Sequence, residues 1–439
     1  MGTPPSCVLE VNAELRGTDK MTTKIVLINK FYYRRGGTER YCLDVSRLLR
    51  QHGHTVIPFS MAHERNLDSE YARYFVDEIS LERASGRRRP LANLRAAGRA
   101  IYSPQARHRL AQLIDDERPG LAYLHNIHHQ ISLSILPLLK AKGIPIVWRL
   151  HDYSLFCPNS LFYSRGSVCE LCSSGRYHHI VLRRCRRGSR AASLVAGLGS
   201  YLDRWLRLAD CVDLFIAPSR FLRDKMVQHG LDAQRLVVQP NFIPPDLIDP
   251  APPPASPGEE AADGEGHLLY FGRLSAEKGV GTLIQAMARL PDRKLVIAGD
   301  GPQRLNLENL STQVADGHIQ FTGYQPPETL RATLHRASLV IVPSEWYENC
   351  PYTILEAFAA GKPVVASCIG GIPELVQHGR DGLLFEPGNA GELASCIHTL
   401  AADKDLRRRM GWSARKKVEE RYGPQSHYAG LMEILGGLV

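Results

Sequence analysis

"SLVIVPSEWYENCPYTILEAFAAGKPVVAS", residues 338–367, contains a buried-strand run, a polar loop, an apolar helix and a second strand. Asn349 suits a helix N-cap, Pro351 the first turn and Gly361 the position just past the end, so the helix is expected over roughly 350–360. Its body is Ile354, Leu355, Ala357, Phe358, Ala359 and Ala360, yet Glu356 sits among them. A buried carboxylate needs a partner, because an unpaired charge away from water is costly. Tyr352 and Thr353 lie one turn away, which directs Glu356 toward the helix start and the strand tips. A carboxylate there can accept both hydroxyls of a ribose diol. The helix start offers free N–H groups and a positive dipole end, which suit phosphate. Glu348, in the preceding loop, then points at whatever the diphosphate carries. The alternative for both glutamates is an internal salt bridge to a core cation.

The same strand–helix alternation runs outward in both directions. Upstream strands are expected at 23–31, 55–60, 121–126, 145–152, 213–219 and 235–241. Downstream ones are expected at 267–274, 294–301, 319–324, 338–344, 362–367 and 383–387. Between the two blocks, residues 244–266 are rich in Pro, Ala, Gly and acid, as a linker is. The fold class is therefore α/β, with two doubly wound Rossmann-like domains facing a cleft, at 21–243 and 267–422. Residues 1–20 are expected to be an N-terminal extension without fixed structure, with Met21 as an alternative start. Residues 423–439 are expected to form a helix packing back toward the N-terminal domain.

The chain has 439 residues, 44% hydrophobic and 23% charged, which excludes a disordered protein. No stretch approaches the ~20 apolar residues of a membrane span, and no signal-peptide core is visible, so a cytoplasmic location is expected. The net charge of +9 is uneven: residues 1–250 carry 36 Lys/Arg against 23 Asp/Glu, whereas 251–439 carry 18 against 22. Eight arginines and no acid lie between Arg83 and Arg109, and six and none between Leu171 and Leu202. The basic half should face an anionic partner, such as a membrane surface or a phosphorylated substrate; a plain solvated surface and nucleic acid are the alternatives for the two arginine segments. "LANLRAAGRAIY" (91–102), with apolar residues at helical spacing beside arginines, fits peripheral binding to the inner face of a membrane.

Two glutamates eight apart after "VPS", followed by "EAFAAGKPVVAS", resemble the retaining family 4 glycosyltransferases of GT-B fold. So do "RRGGTER" (34–40), "LHDY" (150–153), "FGRLSAEKG" (271–279), "AGDGP" (298–302) and "GIPELVQHGRDGLLFEPGN" (371–389). The resemblance implies sugar transfer from a nucleoside-diphosphate sugar to a glycan or lipid-linked acceptor, as in surface polysaccharide assembly. It implies that Arg273 and Lys278 neutralise the diphosphate. It places Gly36, Gly37, Gly299, Gly323, Tyr324, Asn349, Cys350, Pro351, Tyr352 and Glu356 along the donor. It sets His151 and Glu348 at the reacting sugar. Asp152 is a candidate to orient His151. No Asp-x-Asp follows an apolar strand, so catalysis without a metal cofactor is expected.

Cys157, Cys169, Cys172 and Cys185, inside a Cys- and Arg-rich insertion at 157–190, have a spacing compatible with a structural zinc; free thiols and disulfides are the alternatives. Two rival functions remain. One is a sugar-nucleotide epimerase of the same fold. The other is a zinc-containing nucleic-acid-binding protein, which would leave Glu348 and Glu356 without a role.

Overall fold

The computed structural model describes residues 23–79, 90–247, 266–314 and 317–438. The N-terminal extension, Met21, the arginines at 83–89 and most of the 244–266 linker lie outside them.

The first domain runs β1 (Lys24–Ile28), α1 (Gly37–Gln51), β2 (Thr55–Phe59), α2 (Pro90–Ile101), α3 (Pro104–Glu117), β3 (Leu121–Leu124), α4 (Leu136–Ala141) and β4 (Ile146–Arg149). A small hairpin, β5 (Tyr163–Ser164) and β6 (Ser167–Val168), then precedes α5 (His178–Arg183) and α6 (Arg190–Trp205). β7 (Leu214–Ala217), α7 (Arg220–Gln228) and β8 (Leu236–Val238) complete it. The sheet is parallel, in the order β2-β1-β3-β4-β7-β8. Its strands read as continuous apolar runs because both faces are covered. In β1, Val26 and Ile28 enter one core while Ile25 and Leu27 enter another on the opposite face, as the two-residue period of a strand requires.

The second domain repeats this plan with β9 (His267–Phe271), α8 (Val280–Met287), β10 (Leu295–Ala298), α9 (Arg304–Val314), β11 (Ile319–Gly323), α10 (Pro327–Arg336), β12 (Ala337–Val342), α11 (Tyr352–Ala359), β13 (Val364–Ser367), α12 (Ile372–Leu375), β14 (Gly382–Phe385), α13 (Ala390–Ala402) and α14 (Lys404–Arg421). Its order is β11-β10-β9-β12-β13-β14, again parallel. Strand order reverses at β9/β12, so the loops leaving these two strands flank the crevice where open sheets bind ligands.

α15 (Pro424–Gly436) returns to the first domain. Leu431 and Leu435 join Ile25, Leu27 and Tyr41 in one core, and His427 Nε2 lies 2.9 Å from Tyr41 Oη. None of the described helices is long and apolar enough to cross a membrane.

Two expectations need correction. β4 stops at Arg149, so His151 and Asp152 lie on the loop beyond it rather than on the strand. α11 spans Tyr352–Ala359 with Pro351 as N-cap, not Asn349. The fixed φ of Pro351 starts the helix, while the Asn349 side chain is drawn across to the first domain.

Candidate functional site

The loop between β12 and α11 lies against the first domain, held from both sides. Asn349 Nδ2 donates to the His151 carbonyl at 2.9 Å, and its Oδ1 accepts from Tyr153 Oη at 2.6 Å. Asn241 Nδ2 donates to the Cys350 carbonyl at 2.8 Å, and its Oδ1 accepts from Arg149 Nη2 at 2.9 Å. Arg149 is fully buried, with its guanidinium 3.8 Å from the centroid of the Tyr41 ring. A chain of hydrogen bonds thus runs from the first domain's core to the start of α11. On the other side, Gly370 has φ of +62°, and a Cβ there would stand 2.3 Å from the Glu348 carbonyl oxygen. The backbones approach so closely that only glycine fits.

Glu348 is 5% exposed. Its Oε1 accepts from Lys278 Nζ at 2.6 Å and from Ser344 Oγ at 2.7 Å. Burial alone would raise its pKa, but the Lys278 charge and these hydrogen bonds outweigh that and hold the carboxyl below its ordinary value. The group is a fixed anion at neutral pH. Glu356 also has a cation partner, Arg40 on α1, with Nη1 2.5 Å from Oε1. The Arg40 guanidinium lies 4.3 Å from the Tyr352 ring centroid. Both glutamates therefore make the salt bridges set out as the alternative to ligand binding. Glu356 does so across the domain contact and keeps 19% exposure of its side chain.

Arg273 follows β9 and is exposed, with no hydrogen bond or ion pair of its side chain among the described residues. Lys278 comes from the next turn, so one strand end supplies one free and one engaged cation. At the end of β10, Gly299 has φ of +155°, and a Cβ would lie 1.8 Å from the Gly272 carbonyl oxygen; its N–H donates to the Gly323 carbonyl at 2.8 Å. This locks three strand ends together. Tyr324, just beyond β11, is 75% exposed.

From the first domain, Gly36 caps α1 and Gly37 opens it; a Cβ on Gly37 would sit 3.5 Å from the Tyr352 ring. The N-terminus of α1 thus faces the start of α11. His151 Nε2 lies 3.0 Å from His125 Nδ1. Burial, then His125 and the Arg149 charge, push the His151 pKa well below the ordinary imidazole value, so it is neutral. Asp152 does not orient it: that carboxylate accepts from the Ser154 N–H at 2.9 Å. His125 occupies the orienting position instead. His125, Arg40, Asn241 and Arg149 were missed in the sequence. Arg40 stood inside the quoted "RRGGTER", and His125 inside a histidine-rich run after β3. Asn241 and Arg149 gave no signal, because their role depends on the domains meeting.

The four insertion cysteines line one small recess beside His179 and Tyr163. Burial first, then the neighbouring thiols, raise the Cys172 pKa to about 12. Among the described residues no three Cys, His, Asp or Glu side chains converge closely enough to hold an ion. The insertion also touches the loop before α11: Glu170 accepts from Tyr347 Oη at 2.9 Å and from Lys225 Nζ at 2.8 Å.

Two parallel six-stranded domains whose strand-end loops meet in this way define the GT-B class of glycosyltransferase folds. The chain belongs to glycosyltransferase family 4. A model described as Glycosyltransferase Family 4 matches residues 35–247, and one described as Glycosyl transferases group 1 matches 255–417. An uncharacterised glycosyltransferase of Methanocaldococcus jannaschii is 37% identical over 164 residues, 36% of this chain and 42% of that protein. The lipopolysaccharide core biosynthesis glycosyltransferase LpsE of Rhizobium meliloti is 35% identical over 169 residues, 38% of this chain and 49% of that one. The alignments therefore span less than half of either relative. The crystal structure of Anabaena HepE in complex with UDP-glucose matches with a TM-score of 0.63 at 21% identity, covering 95% of this chain and all of that one. That likeness is one of fold.

Proposed function

We propose that the protein is a retaining glycosyltransferase, moving a sugar from a nucleoside-diphosphate sugar to a glycan or lipid-linked acceptor in surface polysaccharide assembly. The observation that carries this is the pairing of a buried, ionised Glu348 with Lys278, next to the unengaged Arg273. Fixed opposite charges at a strand-order switch point suit a polyanion carrying a neutral polyol. HepE was solved with UDP-glucose, and LpsE is named for lipopolysaccharide core synthesis; both lend support. The epimerase and nucleic-acid readings draw none from these matches.

In this reading Arg273 and Lys278 bind the diphosphate, with the N–H groups at the start of α11. Glu356 takes the ribose hydroxyls, which requires Arg40 to give way or share. Glu348 and neutral His151 hold the transferred sugar. The acceptor enters from the first domain, where His128, His129, Ser154 and Ser200 line a recess. The bond from the anomeric carbon to the leaving phosphate breaks as the acceptor oxygen bonds on the same face. The acceptor's proton passes to the leaving phosphate oxygen. The protein contributes orientation and charge stabilisation. Two fixed cations at the diphosphate give catalysis without a metal cofactor.

Thermal unfolding of the protein with a panel of nucleoside diphosphates tests this. One base should raise the midpoint by several degrees through mass action, equally in excess EDTA. No shift with any of them, or a shift only with added Mg²⁺, would contradict the reading. We also propose that the four cysteines take a structural zinc, which requires their thiols to deprotonate and to draw closer together than they now stand. Elemental analysis should find one zinc per chain; a metal-free protein with four alkylatable thiols would end that idea.

A further inference from the structure

Helix α6 is turned inside out. Its inward residues are small: Ser193, Ala196 and Gly197 are buried, and a Cβ on Gly197 would lie 3.2 Å from Ile180 on α5. Its large apolar residues point outward. Leu194, Leu198, Tyr201 and Trp205 are 49%, 51%, 40% and 78% exposed. Their spacing of four, three and four puts them on one stripe of a 3.6-residue helix. Leu182 on the adjoining α5 adds 68% exposure, and Leu206 just past α6 adds 43%. A surface helix ordinarily buries such a stripe, and a contiguous exposed one marks an interaction face.

The charge around it identifies the partner. Between Leu171 and Arg207 there are eight arginines and one acid, Asp203. Arg176, Arg184, Arg187, Arg190 and Arg204 are exposed, while Asp203 lines the pocket on the inner side of α6. We propose that this face docks on an anionic lipid bilayer, with the Leu194–Trp205 stripe entering the headgroup boundary and the arginines meeting lipid phosphates. An apolar stripe rimmed by cations is the pattern of a helix lying in a membrane interface, and the arginine stems can cover apolar surface while their heads stay wet. A second copy fits poorly, since face-to-face pairing would set two arginine clusters against each other. The inference does not depend on the enzyme's substrate.

The test is co-sedimentation of the full chain with phosphatidylcholine vesicles and with vesicles containing phosphatidylglycerol, at physiological ionic strength. The protein should partition onto the anionic vesicles. Leu198→Ser/Trp205→Ser should weaken that partition by about tenfold or more, with an unchanged unfolding midpoint. Trp205→Phe should keep the binding but lose the vesicle-induced blue shift of tryptophan emission. Absence of binding to either vesicle would overturn the proposal, as would binding that the double variant leaves intact. A concentration-dependent dimer abolished by the double variant would overturn it in favour of a second copy.

Discussion

Replacing Lys278 by alanine is expected to lower kcat by about 10²- to 10³-fold, the effect of removing one fixed charge aimed at a developing anion. The same change should destabilise the fold. Lys278 is the cation of the Glu348 carboxylate, which is 5% exposed. Removing one partner of a buried pair costs about 3 kcal/mol. The sign of the pH dependence follows. The folded pKa of Glu348 is held below its unfolded value, so its stabilisation is fully present above the unfolded value. It is lost as pH falls through the folded one. In Lys278→Ala that contribution disappears, because burial without the ammonium favours the neutral acid. Denaturant titrations at neutral pH and under acid conditions should therefore show the largest gap between wild type and variant at neutral pH. A gap of equal size in acid would mean that the pair does not stabilise the fold.

Arg273→Ala should separate the two effects. Arg273 is exposed and its side chain has no partner among the described residues, so the unfolding midpoint should be unchanged. Nucleotide stabilisation should nevertheless vanish, and kcat/KM should fall by about 10²-fold or more, because a guanidinium grips two phosphate oxygens in a fixed geometry. Lysine at this position should restore only part of the loss. Normal kinetics in Arg273→Ala would remove this residue from the diphosphate site.

Much of the fold was legible because both sheets are parallel. Strands covered on both faces are runs such as "TKIVLINKF", and the glycines and prolines between them mark the turns. The boundaries that moved did so for local reasons. Pro351 sets the helix start with its own φ. Asn349, an N-cap by its chemistry, has a tertiary use for its side chain in His151 and Tyr153. The second domain's part of the candidate site could be named from the sequence, since Arg273, Lys278, Glu348 and Glu356 all follow the ends of two strands, β9 and β12. What sequence could not show was anything that depends on how the domains meet. Arg40 reaches Glu356 from 316 residues away. His125 rather than Asp152 backs His151 because β3 and β4 are neighbours in the sheet. The exposed stripe of α6 was hidden for a related reason: periodicity reveals an apolar face but not which way it points.

In the proposed reading the second domain grips a nucleoside diphosphate through Arg273, Lys278, the start of α11 and Glu356. The most direct measurement is a crystal structure with the diphosphate that gives the largest thermal shift. The diphosphate should lie within about 3 Å of both cations, with the ribose hydroxyls on Glu356 and Arg40 moved from its present partner. A nucleotide bound elsewhere, or an undisturbed Arg40–Glu356 pair beside an empty crevice at saturating ligand, would contradict the account.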